Sequence, residues 1–195
     1  MKTITKTYKV YEFDELSQEA KDKVIEKLRY INVEAGFDWW EDDGLLELTP
    51  EQAKKARITD AEYKTEMFKF KKIYFDLDRA HYIQFPDLRI NNEVAFYKWL
   101  GIPKRLQNKI DTYNFDSKYR QGNTSIEFYT GEKTTDSEDH ILAEAEDKFS
   151  NWMEESLRRL QANYDYLTSD ESITETIKAN DYQFLENGTM ANCLK

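Results

Sequence analysis

Cysteine, proline and glycine are all scarce in this sequence: one Cys, three Pro and six Gly among 195 residues. A single cysteine, Cys193, cannot form an internal disulfide, so the sequence reads as a chain of a reducing cytoplasm. The few Pro and Gly are dispersed, which excludes a low-complexity linker. No stretch approaches 18 apolar residues, so no membrane span is expected. The opening residues, MKTITKTYKVYEF, contain no apolar core of a secretory signal. Glycine-rich phosphate loops, GxSxG elbows, HExxH helices and Cys-x-x-Cys pairs are also missing. No cofactor is therefore expected, and a non-enzymatic protein is favoured over an enzyme.

Acid and aromatic side chains are plentiful. Net charge is −10, aromatics make up 14% and charged residues 34%. So many rings argue for a folded core rather than disorder. The length fits one α+β domain over residues 1–195, with 86–135 as a candidate insertion. The acidic balance disfavours direct binding to nucleic acid or to an anionic membrane, and suits docking onto a basic protein surface.

Residues 5–13 alternate like a strand. Ser17 is placed to cap a helix bearing Ala20, Val24, Leu28 and Ile31, with Leu16 as its staple. Thr49-Pro50-Glu51-Gln52 opens a second helix. Lys72 to Phe85, KIYFDLDRAHYIQF, reads as a central hairpin ended by Pro86. A short helix from Asn92 stops at Gly101, and Pro103 starts another that carries Leu106 and Ile110. Thr124 to Tyr129 is a further strand. Asp136 to Leu167 holds a helical apolar stripe about 45 Å long, with a break expected near Leu167. Thr168-Ser169-Asp170-Glu171 reads as a capping box, Asn180 as a left-handed cap, and Asn187-Gly188 as a hairpin turn. The expected architecture is an antiparallel sheet with a central hairpin, packed against several helices that include one long helix in the C-terminal half.

Two constellations stand out. From Asp136 to Glu155 there are eight acids and one lysine, mostly off the apolar stripe. Together with Trp39, Trp40, Glu41, Asp42 and Asp43, the residues Glu144, Asp147, Glu154 and Glu155 form the candidate partner-binding set. The plainer interpretation of such acid is a solvated helix face. The second constellation is Asp76 and Asp78, two apart in a strand pattern, with His81 beyond the turn. Such a set could hold Mg²⁺ or Mn²⁺ and serve a small metal-dependent nuclease or phosphodiesterase. Against it stands a simple solvated turn. Cations cluster at Lys69, Lys71 and Lys72, at Lys104, Arg105 and Lys109, and at Arg158-Arg159. Aromatics at Tyr113, Phe115 and Tyr119 would suit a nucleic-acid patch, a reading that the overall charge disfavours.

The segments YEFDELSQEAKDKVIEKLR (11–29), IYFDLDRAHYIQF (73–85) and YLTSDESITETIKANDYQFLENG (166–188) resemble a loose group of small proteins from bacteriophage and prophage genomes. That group supplies no catalytic residues. The resemblance implies an accessory protein of the host-cell cytoplasm. Its expected role is a stoichiometric inhibitor of host defence, with CRISPR–Cas machinery the leading target and a protein or ribonucleoprotein with a basic surface as partner.

Overall fold

The computed structural model describes residues 7–34, 47–117 and 122–191. In chain order it contains β1 (Tyr11–Glu12), α1 (Gln18–Lys27), α2 (Ile31–Glu34), α3 (Pro50–Lys55) and α4 (Asp60–Tyr63). Then come β2 (Phe68–Lys69), β3 (Tyr74–Asp76), β4 (Tyr82–Gln84), β5 (Arg89–Ile90), α5 (Glu93–Leu100) and α6 (Lys104–Gln107). The remainder comprises β6 (Ile110–Asp116), β7 (Ser125–Thr130), α7 (Asp136–Leu167), α8 (Asp170–Ala179) and β8 (Gln183–Phe184). The class is α+β with antiparallel strand pairs, and the long helix runs where the apolar stripe placed it. The strands form four separate two-stranded ladders, β1–β8, β2–β5, β3–β4 and β6–β7, in place of one continuous sheet. Among the described residues no helix is long and apolar enough to cross a membrane.

The chain divides into two compact units, one made of residues 1–42 with 162–195 and the other of 43–161. Residues 86–135 fall wholly within the second.

In the first unit, Ser17 Oγ accepts from the Ala20 N–H and opens α1. Leu16, just before this cap, is buried in the core, but the N4 position it would staple is Lys21, so the expected staple pair is not formed. The core is Phe13, Leu16, Ala20, Val24, Ile173, Ile177 and Phe184. It therefore joins α1, α8 and the β1–β8 ladder. Phe13 meets Phe184 edge-on at 6.2 Å. Asn32 uses its whole amide: Nδ2 donates to the Leu167 carbonyl at 3.1 Å and to Ser172 Oγ at 2.9 Å, while Oδ1 accepts from Thr176 Oγ1 at 2.8 Å. These bonds take up a carbonyl that the end of α7 leaves open.

Four further local expectations shift here. Among the described residues the N-terminal strand is only Tyr11–Glu12, and Phe13 leaves it to begin a 3-10 helix over Phe13–Glu15 that a Glu12/Glu15 capping box opens. The cap of α8 is Ser169, one residue later than read; Thr168 Oγ1 instead donates back to the Tyr164 carbonyl. Asn180 is not left-handed (φ −101°); Asp181 is, at φ +49°. Ile31 begins α2 and does not continue α1.

The second unit is organised by rings. Phe68, Phe96, Trp99, Phe115, Phe149 and Trp152 contact one another at centroid separations from 4.9 to 6.5 Å. Asn92 caps α5 and Gly101 closes it at φ +85°. Ile110, read as helical, instead starts β6: α6 ends at Gln107, and Tyr113 and Phe115 alternate inward opposite Phe128 and Ile126. The central hairpin is present, pairing Phe75 with Ile83. Its far edge is covered by residues 122–124. There the Ile83 N–H donates to Asn123 Oδ1, the Ile83 carbonyl accepts from the Thr124 N–H, and the buried Phe85 N–H donates to Thr124 Oγ1 at 2.8 Å.

Candidate functional site

The acidic face of α7 within the second unit is the best-formed candidate. Its helix begins with a reciprocal cap: Thr135 Oγ1 accepts from the Glu138 N–H, and Glu138 Oε2 accepts from the Thr135 N–H. Lys109 Nζ then donates to the same Glu138 oxygen at 2.9 Å. An equivalent lock opens α4, where Glu62 completes the cap with Thr59 and accepts from Lys98 Nζ at 2.7 Å. Lysine and the backbone N–H together pull both carboxyls from the ordinary 4.5 to about 2, against the opposing effect of burial.

A carboxyl depressed in the fold stabilises it above the unfolded pKa, and that contribution drains away as pH falls from about 4.5 to about 2. The variant Lys98→Met/Lys109→Met should therefore have a lower thermal midpoint than the parent at pH 7, and the gap should close towards pH 2. A gap that stays constant with pH would show that these two locks do not operate.

Below the cap, Leu142, Ala145, Phe149, Trp152, Met153, Ser156 and Leu160 turn inward. The helical period then forces Asp136, Asp139, Glu144, Asp147 and Glu154 outward, and all five are exposed. Glu144 and Asp147 stand about one turn apart, and Asp147 and Glu154 two turns, or about 10 Å. Asp139 is bonded to Thr134 Oγ1, and Glu144 lies 3.4 Å from His140 Nε2. The carboxylates of Asp136, Asp147 and Glu154 have no hydrogen-bond or ion-pair partner among the described residues. Glu155 differs: Arg159 Nη2 sits 2.5 Å from it and Gln52 Nε2 donates to it at 3.4 Å. Glu146 is spent on the Phe128 N–H. Lys148 does little to neutralise this face, since its Nζ bonds the Trp99 carbonyl and lies over the Trp99 ring at 5.7 Å. Burial holds its pKa below the ordinary lysine value.

Trp39, Trp40, Glu41, Asp42 and Asp43 lie outside the described residues. The Asp76, Asp78 and His81 set is placed differently from the strand reading. β3 ends at Asp76, whose Oδ1 accepts from the N–H groups of Asp78 and Arg79, both at 2.9 Å. Those two donors depress its pKa. Asp78 is thus a turn residue and does not share a strand face with Asp76; its side chain is 94% exposed. His81 is also exposed, in the left-handed region at φ +43°. Among the described residues no three His, Cys, Asp or Glu side chains are grouped to hold a metal ion. Beside this turn is a hollow of about 760 Å³ lined by Ile73, Tyr74, Phe75, Asp76, Arg79, Ala80 and Tyr82.

Two features escaped the sequence reading although their signals were present. Thr59-Asp60-Ala61-Glu62 and Thr135-Asp136-Ser137-Glu138 are both T-x-x-E capping patterns. Comparison with protein-family models, with curated proteins and with solved structures finds no match to this chain.

Proposed function

We propose that this chain is a non-enzymatic, stoichiometric inhibitor of bacteriophage origin that blocks a host defence complex in the host cytoplasm, CRISPR–Cas machinery being the leading candidate. The observation that carries the reading is the outward row Glu144, Asp147 and Glu154 on one uninterrupted helix, with two of the three carboxylates uncommitted among the described residues. Carboxylates fixed on a rigid helix lose little freedom on docking, so their charge is available to a basic surface. The phage and defence elements rest on the resemblance of segments 11–29, 73–85 and 166–188.

The test uses purified CRISPR–Cas effector complexes with an excess of the chain, reading target binding by the effector. Wild-type protein should suppress it, and more weakly as salt rises. Glu144→Lys/Asp147→Lys/Glu154→Lys should lose at least about tenfold in potency, because like charges then face each other across the interface. The thermal midpoint should stay close to that of the parent, since these side chains are exposed. Equal potency of the triple variant would overturn the role of this face. Glu155 is left intact because its bond to Arg159 makes it a structural residue.

A further inference from the structure

The acidic average of the chain conceals a local reversal of sign in the second unit. Between Lys69 and Arg89 there are five cations and three aspartates. The β2–β5 ladder sets Lys69 directly opposite Arg89, and both are exposed. Directly opposed residues of an antiparallel pair leave the same face at close range, so two like charges there repel and destabilise the ladder. Neither side chain has a carboxylate partner among the described residues, and neither do the ammonium groups of Lys71 and Lys72.

The aspartates do not resolve this. Both oxygens of Asp87 accept from backbone, from the N–H groups of Lys71 (3.0 and 3.1 Å) and Lys72 (3.2 Å). Asp76 is spent on its own turn. Asp78 reaches Arg79 only at 3.9 Å, and Arg79 is 92% exposed. Arg79 also lines the 760 Å³ hollow together with Tyr74, which is 44% exposed, and the rings of Phe75 and Tyr82.

We infer that residues 69–89 form a binding surface for single-stranded nucleic acid. Lys69, Lys71, Lys72 and Arg89 would meet phosphates, while Arg79 and Tyr74 at the hollow would take a base. Cations that track a backbone together with an exposed ring, here Tyr74, are the combination such strands require. The net charge of −10 does not forbid it. At physiological ionic strength charge is screened beyond about 8 Å, so the patch is felt locally. This surface shares no residue with the acidic face of α7, and its test does not depend on that face.

The experiment is fluorescence anisotropy of a labelled oligothymidylate about 20 nucleotides long, from about 50 to about 200 mM salt. Binding should appear at low salt. Lys69→Gln/Arg89→Gln should reduce the steepness of the log K against log salt plot by about 1.4, two phosphate contacts at about 0.7 each. Tyr74→Ala should weaken binding by about tenfold. Ultraviolet crosslinking of the unmodified chain should label the peptide that contains Tyr74 and Arg79, a readout that needs no variant to fold. No binding at low salt would overturn the inference, as would crosslinks confined elsewhere. So would displacement by polyglutamate at equal concentration with no effect of Tyr74→Ala, an outcome that would assign the patch to an acidic protein.

Discussion

Phe149→Ala should lower the stability of the 43–161 unit by about 3–5 kcal/mol, the range for deleting a fully buried phenylalanine. Phe149 has no exposed surface. Its ring lies 6.3 Å from Phe68, 6.5 Å from Trp99, 5.5 Å from Phe115 and 6.0 Å from Trp152. Those four rings come from β2, α5, β6 and α7, so one side chain joins four elements. Truncation leaves a void that rigid aromatic neighbours cannot collapse into, and the cavity cost adds to the lost burial. Urea unfolding followed by tryptophan fluorescence should show the midpoint move far to lower urea. Phe149→Leu, which keeps most of the volume, should fall between parent and alanine variant. A loss below about 1 kcal/mol would mean that the rings repack freely, contrary to this account.

Gly188→Ala should be the most damaging single-methyl change in the 1–42 and 162–195 unit, at about 2–4 kcal/mol. Two costs combine. Gly188 sits at φ +82°, where an L side chain is strained. A Cβ there would also stand 2.8 Å from the Ala20 carbonyl oxygen and 3.1 Å from Val24 Cγ2. The carbonyl belongs to α1 and cannot swing away without breaking the helix. Gly101 provides the control: its φ is +85°, yet a Cβ would meet nothing within 4 Å. Gly101→Ala should therefore carry only the conformational cost, about 1 kcal/mol. Both are measured by urea unfolding followed by far-ultraviolet circular dichroism. Equal losses at the two glycines would remove the close approach of the 187–188 turn to α1 as a determinant of the fold.

The features that could be read from the chain alone are those decided within a few residues. Ser17, Thr49 and Asn92 cap their helices because each side chain needs only an N–H three residues on. The apolar period from Leu142 to Leu160 sets the direction of the α7 acids, so the candidate face was visible too. Pairings between distant residues were not. Tyr11 opposite Phe184, or Lys69 opposite Arg89, leaves no local mark, and two of the four ladders rest on such pairings. The Asp76/Asp78 reading failed for a related reason. Alternation was carried one step past the point where Asp76 Oδ1 captures two backbone N–H groups and ends the strand. Which acids are free depended on partners elsewhere, as Lys109 for Glu138 and Gln52 for Glu155 show.

The pairing of Tyr11 with Phe184 also sets a schedule for the ribosome. Translation adds about 5–20 residues per second, so the N-terminal partner waits roughly 10–35 s for its mate. Residues 43–161 are complete before that moment and can mature first. Phe13, Leu16 and Val24 meanwhile lack Ile173, Ile177 and Phe184, the other half of their core. During that interval the nascent chain carries an apolar N-terminal helix face open to holdase chaperones, and synonymous codons that slow the stretch before residue 170 would lengthen its exposure.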